Sequence, residues 1–425
     1  MTREAPTQQA PARGAPAGDR WATARLMLVA GSLILAISLG VRHSFGLFLT
    51  PMSLDSGWGR ETFAFAMAVQ NLVWGVAQPV AGLLSDRHGA GRVILGGGVL
   101  YAAGLAVMAL PQEATLFTLS AGVLIGLGLS GCSFPIIFGA ISRAVPADRR
   151  SLAMGISMSV GSFGQFAMLP LVLPLIGGIG WSSTLLVLAT LAALILPLSL
   201  ALAEGRDAAA RPVGAPEPTG PTARQAIGEA LGSRDFWLLS LGFFVCGFQV
   251  VFIAVHLPAY LQDQGLPPTV ATTVLALIGL LNIAGTYLAG VWGGRHRKPM
   301  LLVGIYLARA AAIAAFVMLP ATPWSAYAFG VTMGLFWLST VPLTNEIVAA
   351  VFGVRNMAML GGVVFLAHQI GSFLGGWLGG IAHDRTGSYD AVWWIAIALS
   401  VAAAALNAPI RETPLARRQA AGAAA

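Results

Sequence analysis

Charged residues are scarce in this chain. Asp, Glu, Lys and Arg make up 10% of 425 residues, where a soluble globular protein carries roughly a quarter. With 56% hydrophobic residues and a mean hydropathy of +0.77, that shortage excludes a soluble enzyme and a disordered chain. A net charge of +7 would suit nucleic acid. The basic residues, however, are scattered in short loops between long apolar runs, so no nucleic-acid partner is expected. Cysteine is nearly missing: Cys132 and Cys246 both lie inside apolar runs, where such residues act as small buried hydrophobes. They suggest neither a disulfide framework nor a metal site. A Walker loop, a GxSxG elbow, an HExxH pair and a Cys/His cluster are also missing, so an ATP-driven pump or a membrane enzyme has no motif to rest on. No catalytic residue, metal or cofactor is expected. The apolar runs are too long and uniform for the alternating strands of a transmembrane barrel.

What the chain has is length of hydrophobic sequence. Six apolar runs fall at about 25–50, 62–84, 93–111, 115–141, 152–178 and 181–203, and six more at about 236–262, 270–293, 300–319, 323–352, 358–382 and 390–410. Each can cross a ~30 Å hydrocarbon core as a helix. The fold class is an all-α polytopic membrane protein of twelve transmembrane helices, spans 1 to 12. Residues 1–24 are rich in Ala, Pro, Gln and Arg and read as a disordered tail. The run that follows is too long for a signal-peptide core. Residues 204–234 are charged and rich in Pro, Gly and Ala. They read as a linker between two six-helix halves, 25–203 and 235–410, with 411–425 as a second tail.

Charge fixes the orientation. With the N-terminus in the cytosol, 20 of the 24 Lys and Arg fall on the cytosolic side. Two fall outside, Arg60 and Arg385, and two within the membrane, Arg42 and Arg309. This asymmetry is what the positive-inside rule requires. The expectation is a multi-pass protein of the inner membrane, monomeric, with both termini cytosolic.

The loop after span 2 reads Gly82-Leu-Leu-Ser-Asp86-Arg87-His-Gly89-Ala-Gly-Arg92. Gly82 permits close helix approach. Asp86 is placed to face a helix N-terminus and accept charge-assisted bonds. Arg87 and Arg92 anchor the loop on the cytosolic side. Such a pairing can latch one conformation and break in another. The segment resembles the signature loop of the major facilitator superfamily, with Ala90 where the family usually has a base. The loop after span 8 is a degenerate echo, with Gly294 in place of the acid, followed by Arg295, Arg297 and Lys298. The resemblance covers the whole chain and implies a fold of two six-helix bundles, with spans 1, 4, 7 and 10 lining a central cavity.

A finer resemblance is carried by Gly40-Val-Arg42-His43-Ser44-Phe45-Gly46 at the end of span 1 and by His383-Asp384-Arg385-Thr386-Gly387 after span 11. Both are similar to the monocarboxylate/oxalate-transporter branch, including its bacterial members. There a cation near the end of helix 1 helps bind the substrate carboxylate, which points to Arg42 or to His43. Animal monocarboxylate carriers place an Asp and an Arg four apart in helix 8. Asn282 and Thr286 stand in the comparable stretch here, so that proton-coupling chemistry does not carry over.

Ionisable groups inside a membrane cost ~2.5–3.5 kcal/mol each on insertion scales and ask for a reason. A guanidinium at Arg42 suits a carboxylate, because its planar fork makes two parallel bonds. Packing or snorkelling is the alternative. Arg309 reads as structural, with Glu346 as a conceivable partner. Glu346, His256 and His368 are the candidates for proton coupling. Gln165, Asn282 and Thr286 are candidates for hydrogen bonds to substrate beside Arg42 and His43. The expected function is secondary active transport of a small organic anion, with a proton as the candidate coupling ion. The alternatives are efflux of a larger amphipathic compound, favoured by Trp and Phe near the cavity spans, and a non-transporting receptor.

Overall fold

The computed structural model describes residues 17–57, 60–110, 113–203 and 221–415. Among them every regular element is a helix. Span 1 is Ala17–His43, continued by a 3-10 turn Ser44–Phe48 and a short helix Leu49–Ser56. It starts inside the stretch expected to be a disordered tail: Ala17 onward is helical, while residues 1–16 lie outside the described residues. Span 2 is Arg60–His88, span 3 Ala90–Met108 and span 4 Ala114–Ala144. Spans 5 and 6 are the parts of one long helical run before and after Gly180, which stands at φ 81° and ψ 164°; the run is Arg150–Ala193, and span 6 continues through Ile195–Leu200. Only glycine takes that conformation without strain. Length and hydropathy alone give 11 candidate spans; the turn at Gly180 divides the longest of them and restores twelve. The second half holds span 7 (Arg234–Asp263), span 8 (Pro268–Gly293), span 9 (Lys298–Met318), span 10 (Pro323–Phe352), span 11 (Met357–Thr386) and span 12 (Asp390–Asn407).

Span 2 shows how sequence sets orientation in a membrane. Leu72, Val76 and Val80 are 61%, 57% and 58% exposed, whereas Gln70, Trp74 and Gln78 on the opposite side are buried. An apolar outside around a polar inside suits hydrocarbon as the solvent. Both sets repeat every four residues, the helix period.

Two helices that read as continuous apolar runs are interrupted at mid-length. Span 4 breaks at Ser133, which is extended at φ −92° and ψ 169°, and resumes as Phe134–Ala144. Span 10 stops at Phe336 and resumes as Thr340–Phe352. Pro135 and Pro342 stand just after these breaks, where a missing N–H costs least. Pro79, Pro170, Pro174 and Pro258 stay inside helices.

Of the 204–234 stretch, residues 204–220 lie outside the described residues. The remainder contains a helix, Ala223–Leu231, started by a capping box of Thr222 and Gln225. Asn356 at the start of span 11 donates to the Pro221 carbonyl at 3.1 Å. Glu412, beyond span 12, accepts from the Lys298 backbone N–H that opens span 9, at 2.8 Å. These contacts define one face of the bundle, called the linker face below; the other is the far face.

Candidate functional site

The two halves meet along two seams. Span 2 packs on span 11, and span 5 on span 8. Small residues allow the approach. A Cβ at Gly82 would fall on the Ala358 carbonyl, and Gly155 packs against Gly290 backbone to backbone. Ser159 donates to the Ile283 carbonyl at 2.9 Å, and Gln369 donates to the Asn71 carbonyl at 3.1 Å. These contacts run from mid-membrane to the linker face. Toward the far face, span 5 is exposed over most of 171–180. Among the described residues every hydrogen bond between the halves lies from mid-membrane to the linker face and none toward the far face, so the halves are closed at the linker face and unjoined by hydrogen bonds at the far face.

Asp86 sits at the closed end. It accepts from Arg143 of span 4 at 2.9 Å, and from the Met359 and Ala358 backbone N–H groups at 2.8 and 3.4 Å. The last two are the first turn of span 11, so a carboxylate of one half caps a helix of the other. Gly89 makes the turn into span 3 at φ 88°, and Arg87 and Arg92 are exposed. The degenerate loop after span 8 has no such acid; that seam is held by the Gly155–Gly290 contact and by neutral hydrogen bonds from Ser159 and Asn282. Hydrogen bonds to a charged group contribute ~1.5–3 kcal/mol each. Asp86→Asn is thus expected to move the balance between the two access states by roughly ten- to a hundredfold, with folding intact. Cysteine accessibility at the two mouths measures it, and unchanged labelling at both would remove Asp86 from gating.

Arg42 lies in the last turn of the Ala17–His43 helix and is half-buried. It donates to the Asn71 side-chain oxygen, and its guanidinium carbon stands 5.0 Å over the Trp74 ring. Its Nε is buried without a partner. Among the described residues no carboxylate reaches it. His43 follows it in the chain and is exposed. Gln165 is half-buried between the faces of span 5 that meet span 1 at Gly164 and span 8 at Ser162. Phe163, two residues and about 200° away, is 55% exposed. Gln165 therefore looks inward.

Asn282 and Thr286 are not beside Arg42. Both are fully buried, and their polar atoms are committed. Asn282 accepts from the Leu338 N–H at 3.0 Å and donates to Ser162 at 2.9 Å. Thr286 donates back to the Asn282 carbonyl at 2.8 Å. The break in span 10 exposes backbone groups that need partners, and Asn282 supplies one. Arg309 supplies the others: it donates to the Phe336 and Trp337 carbonyls at 2.5 and 2.6 Å and to Gln249 at 3.3 Å. The expected pairing of Arg309 with Glu346 does not form.

A family model for the Major Facilitator Superfamily matches residues 26–376. The chain belongs to this superfamily. It is a transporter, not an enzyme. Among curated relatives, monocarboxylate transporter 13 of Rattus norvegicus is 27% identical, covering 86% of this chain and 84% of its own. The uncharacterized MFS-type transporter YcxA of Bacillus subtilis (strain 168) is 23% identical, covering 91% and 94%. The solved Escherichia coli fucose:proton symporter FucP superposes with a TM-score of 0.70 at 13% identity, covering 89% of this chain and 97% of FucP. The last shows the fold: two six-helix bundles.

Within this major facilitator fold, the three titratable candidates sit apart. His256 of span 7 bonds the Gly376 carbonyl of span 11 at 2.8 Å and lies 5.2 Å, centroid to centroid, from Tyr389. His368 of span 11 is wedged between Phe243 and Phe365 and contacts Ser372 at 3.4 Å. Both are tied within the second half. Glu346 is 5% exposed in the linker-face part of span 10, and its Oε2 is buried without a partner. The structure brings Trp74 under Arg42, and the signal was present in the polar spacing Asn71, Trp74, Gln78 along one face.

Proposed function

We propose that this transporter is a secondary carrier of small organic anions, working by alternating access in the inner membrane with both termini cytosolic. The observation that carries the reading is Arg42: a half-buried guanidinium beside the far-face cleft that meets a neutral amide and an indole, with no carboxylate in reach among the described residues and one N–H unpaired. A carboxylate completes that site with a bidentate pair. His43 and Gln165 lie at the same depth and complete the polar rim. The relatives named monocarboxylate transporters support the same chemistry.

Coupling to a proton is assigned to Glu346. A buried carboxyl without a hydrogen-bond partner is costly when charged and tolerable when protonated. Lys298, Arg150 and Glu412 are the charged groups that act on it, all at the linker face. Opening that face would expose Glu346 to water and release its proton. The test is uptake of labelled propionate into proteoliposomes with and without an inwardly directed proton gradient. The gradient is expected to raise initial uptake by the parent several-fold. Glu346→Gln should keep counterflow exchange and lose the response to the gradient. No gradient response in the parent would end the symport reading; no propionate uptake under any condition would end the anion reading.

A further inference from the structure

Gln78 lies one turn beyond Trp74, toward the linker face, and is fully buried. Its Oε1 accepts from the Trp74 indole N–H at 3.1 Å and from the Ser133 hydroxyl at 2.5 Å. An indole N–H only donates, which fixes the amide's orientation. The Nε2 end of the same amide is buried without a partner, an arrangement that is costly at mid-membrane. Ser133 is also the residue at which span 4 breaks. It precedes the 11-residue helix Phe134–Ala144, and no side chain caps that helix start. The Ser133 hydroxyl is spent on Gln78. An unpaired amide donor and the positive end of a half-helix therefore converge on one place. Transporters use discontinuous helices to hold anionic groups in this way.

Trp74 joins this place to Arg42. The guanidinium lies over its ring, and its N–H points to Gln78. Phe365 of span 11 closes the gap, 4.9 Å from Trp74 and 5.1 Å from Phe134 between ring centroids. It arrives with the same helix that Asp86 caps, so parting spans 2 and 11 at the linker face withdraws it.

We propose that Gln78 Nε2 and the start of the Phe134–Ala144 helix form a second carboxylate station, occupied when the linker-face mouth is open. The station rests on the anion reading: the carboxylate is held by Arg42 from the far face and passes along Trp74 to Gln78 for exchange with the other side. Arg42 itself bonds Asn71 and not Gln78.

The experiment measures the KM for labelled propionate from each face in oriented proteoliposomes. Gln78→Glu keeps an oxygen for Trp74 and Ser133 and turns the donor end into an anion. It should raise the KM from the linker face by about tenfold or more, and the KM from the far face by less than about twofold. Gln78→Leu should raise the linker-face KM by roughly three- to tenfold, and it decides the matter if the Glu variant does not reconstitute. Cysteine labelling at both mouths should match the parent. A parental KM from the linker face, or an equal rise from both faces, overturns the station. Arg42→Ala run beside them separates the two readings. If it loses transport while the Gln78 variants behave as parent, only the station falls. If it transports normally, the anion reading falls.

Discussion

Replacing Arg42 by alanine is expected to reduce carboxylate uptake to the level of empty vesicles. Hydrogen bonds to charged groups contribute ~1.5–3 kcal/mol each, so a bidentate pair represents roughly 3–6 kcal/mol, or two to four powers of ten in affinity. Little in the fold opposes the change. Among the described residues Arg42 has no acidic partner to strand, and truncation releases the Asn71 side-chain oxygen and the Trp74 ring face. Asn71 is half-buried and still donates to the Met67 carbonyl at 3.0 Å, so the folding cost is of order 1 kcal/mol. Arg42→Lys keeps the charge but not the fork and should weaken binding by roughly tenfold. Parent and both variants, reconstituted at equal density, are compared by initial rate of propionate uptake. Undiminished uptake by Arg42→Ala would move the reading to efflux of an amphipathic compound.

The prediction depends on how much a linear sequence exposes. Spans were legible because twenty apolar residues in a row admit one explanation in a membrane protein. Asp86 was legible because a lone acid in a loop beside Gly82 has few uses other than capping a facing helix, and it caps span 11. Asn282 and Thr286 misled for a definite reason. Two polar residues four apart on an apolar helix look alike whether they face substrate or a neighbour's broken backbone. The break in span 10 that claims Asn282 has no turn signature: Trp337, Leu338 and Ser339 read as more helix. Ser133 is similar, since only Pro135 hints at a break. Gln78 needed both facts together. Its value comes from which end of the amide is paired, which the Trp74 indole N–H decides, and from a serine 55 positions later that shares the same oxygen. The proline at the head of each resumed half-helix was the only local clue.

Arg309→Met is expected to lose stability by more than about 2 kcal/mol. The guanidinium is fully buried, with no carboxylate partner among the described residues. What neutralises it is the end of a helix. The first part of span 10 stops at Phe336, and Arg309 collects the Phe336 and Trp337 carbonyls through Nε and Nη2, with Nη2 also near the Cys246 sulfur and Nη1 reaching Gln249. A helix C-terminus carries roughly half a negative charge, so the break and the arginine stabilise each other. Removing the side chain leaves two buried carbonyls unpaired at ~1–3 kcal/mol each. The insertion cost of an arginine, ~2.5–3.5 kcal/mol, is recovered only in part, because that scale refers to an unpaired side chain in lipid. Arg309→Lys can reach one carbonyl but not both and Gln249, so it should fall between Met and parent. Thermal unfolding in detergent, read by the fraction remaining monodisperse, orders the three. The Lys variant should still carry propionate with a near-parental KM, because Arg309 faces the second half's interior and not the cleft at Arg42. If Arg309→Met were as stable as the parent yet lost uptake, Arg309 would belong to the substrate path. The break in span 10 would then be an anion site whose cation is shared between helix and substrate.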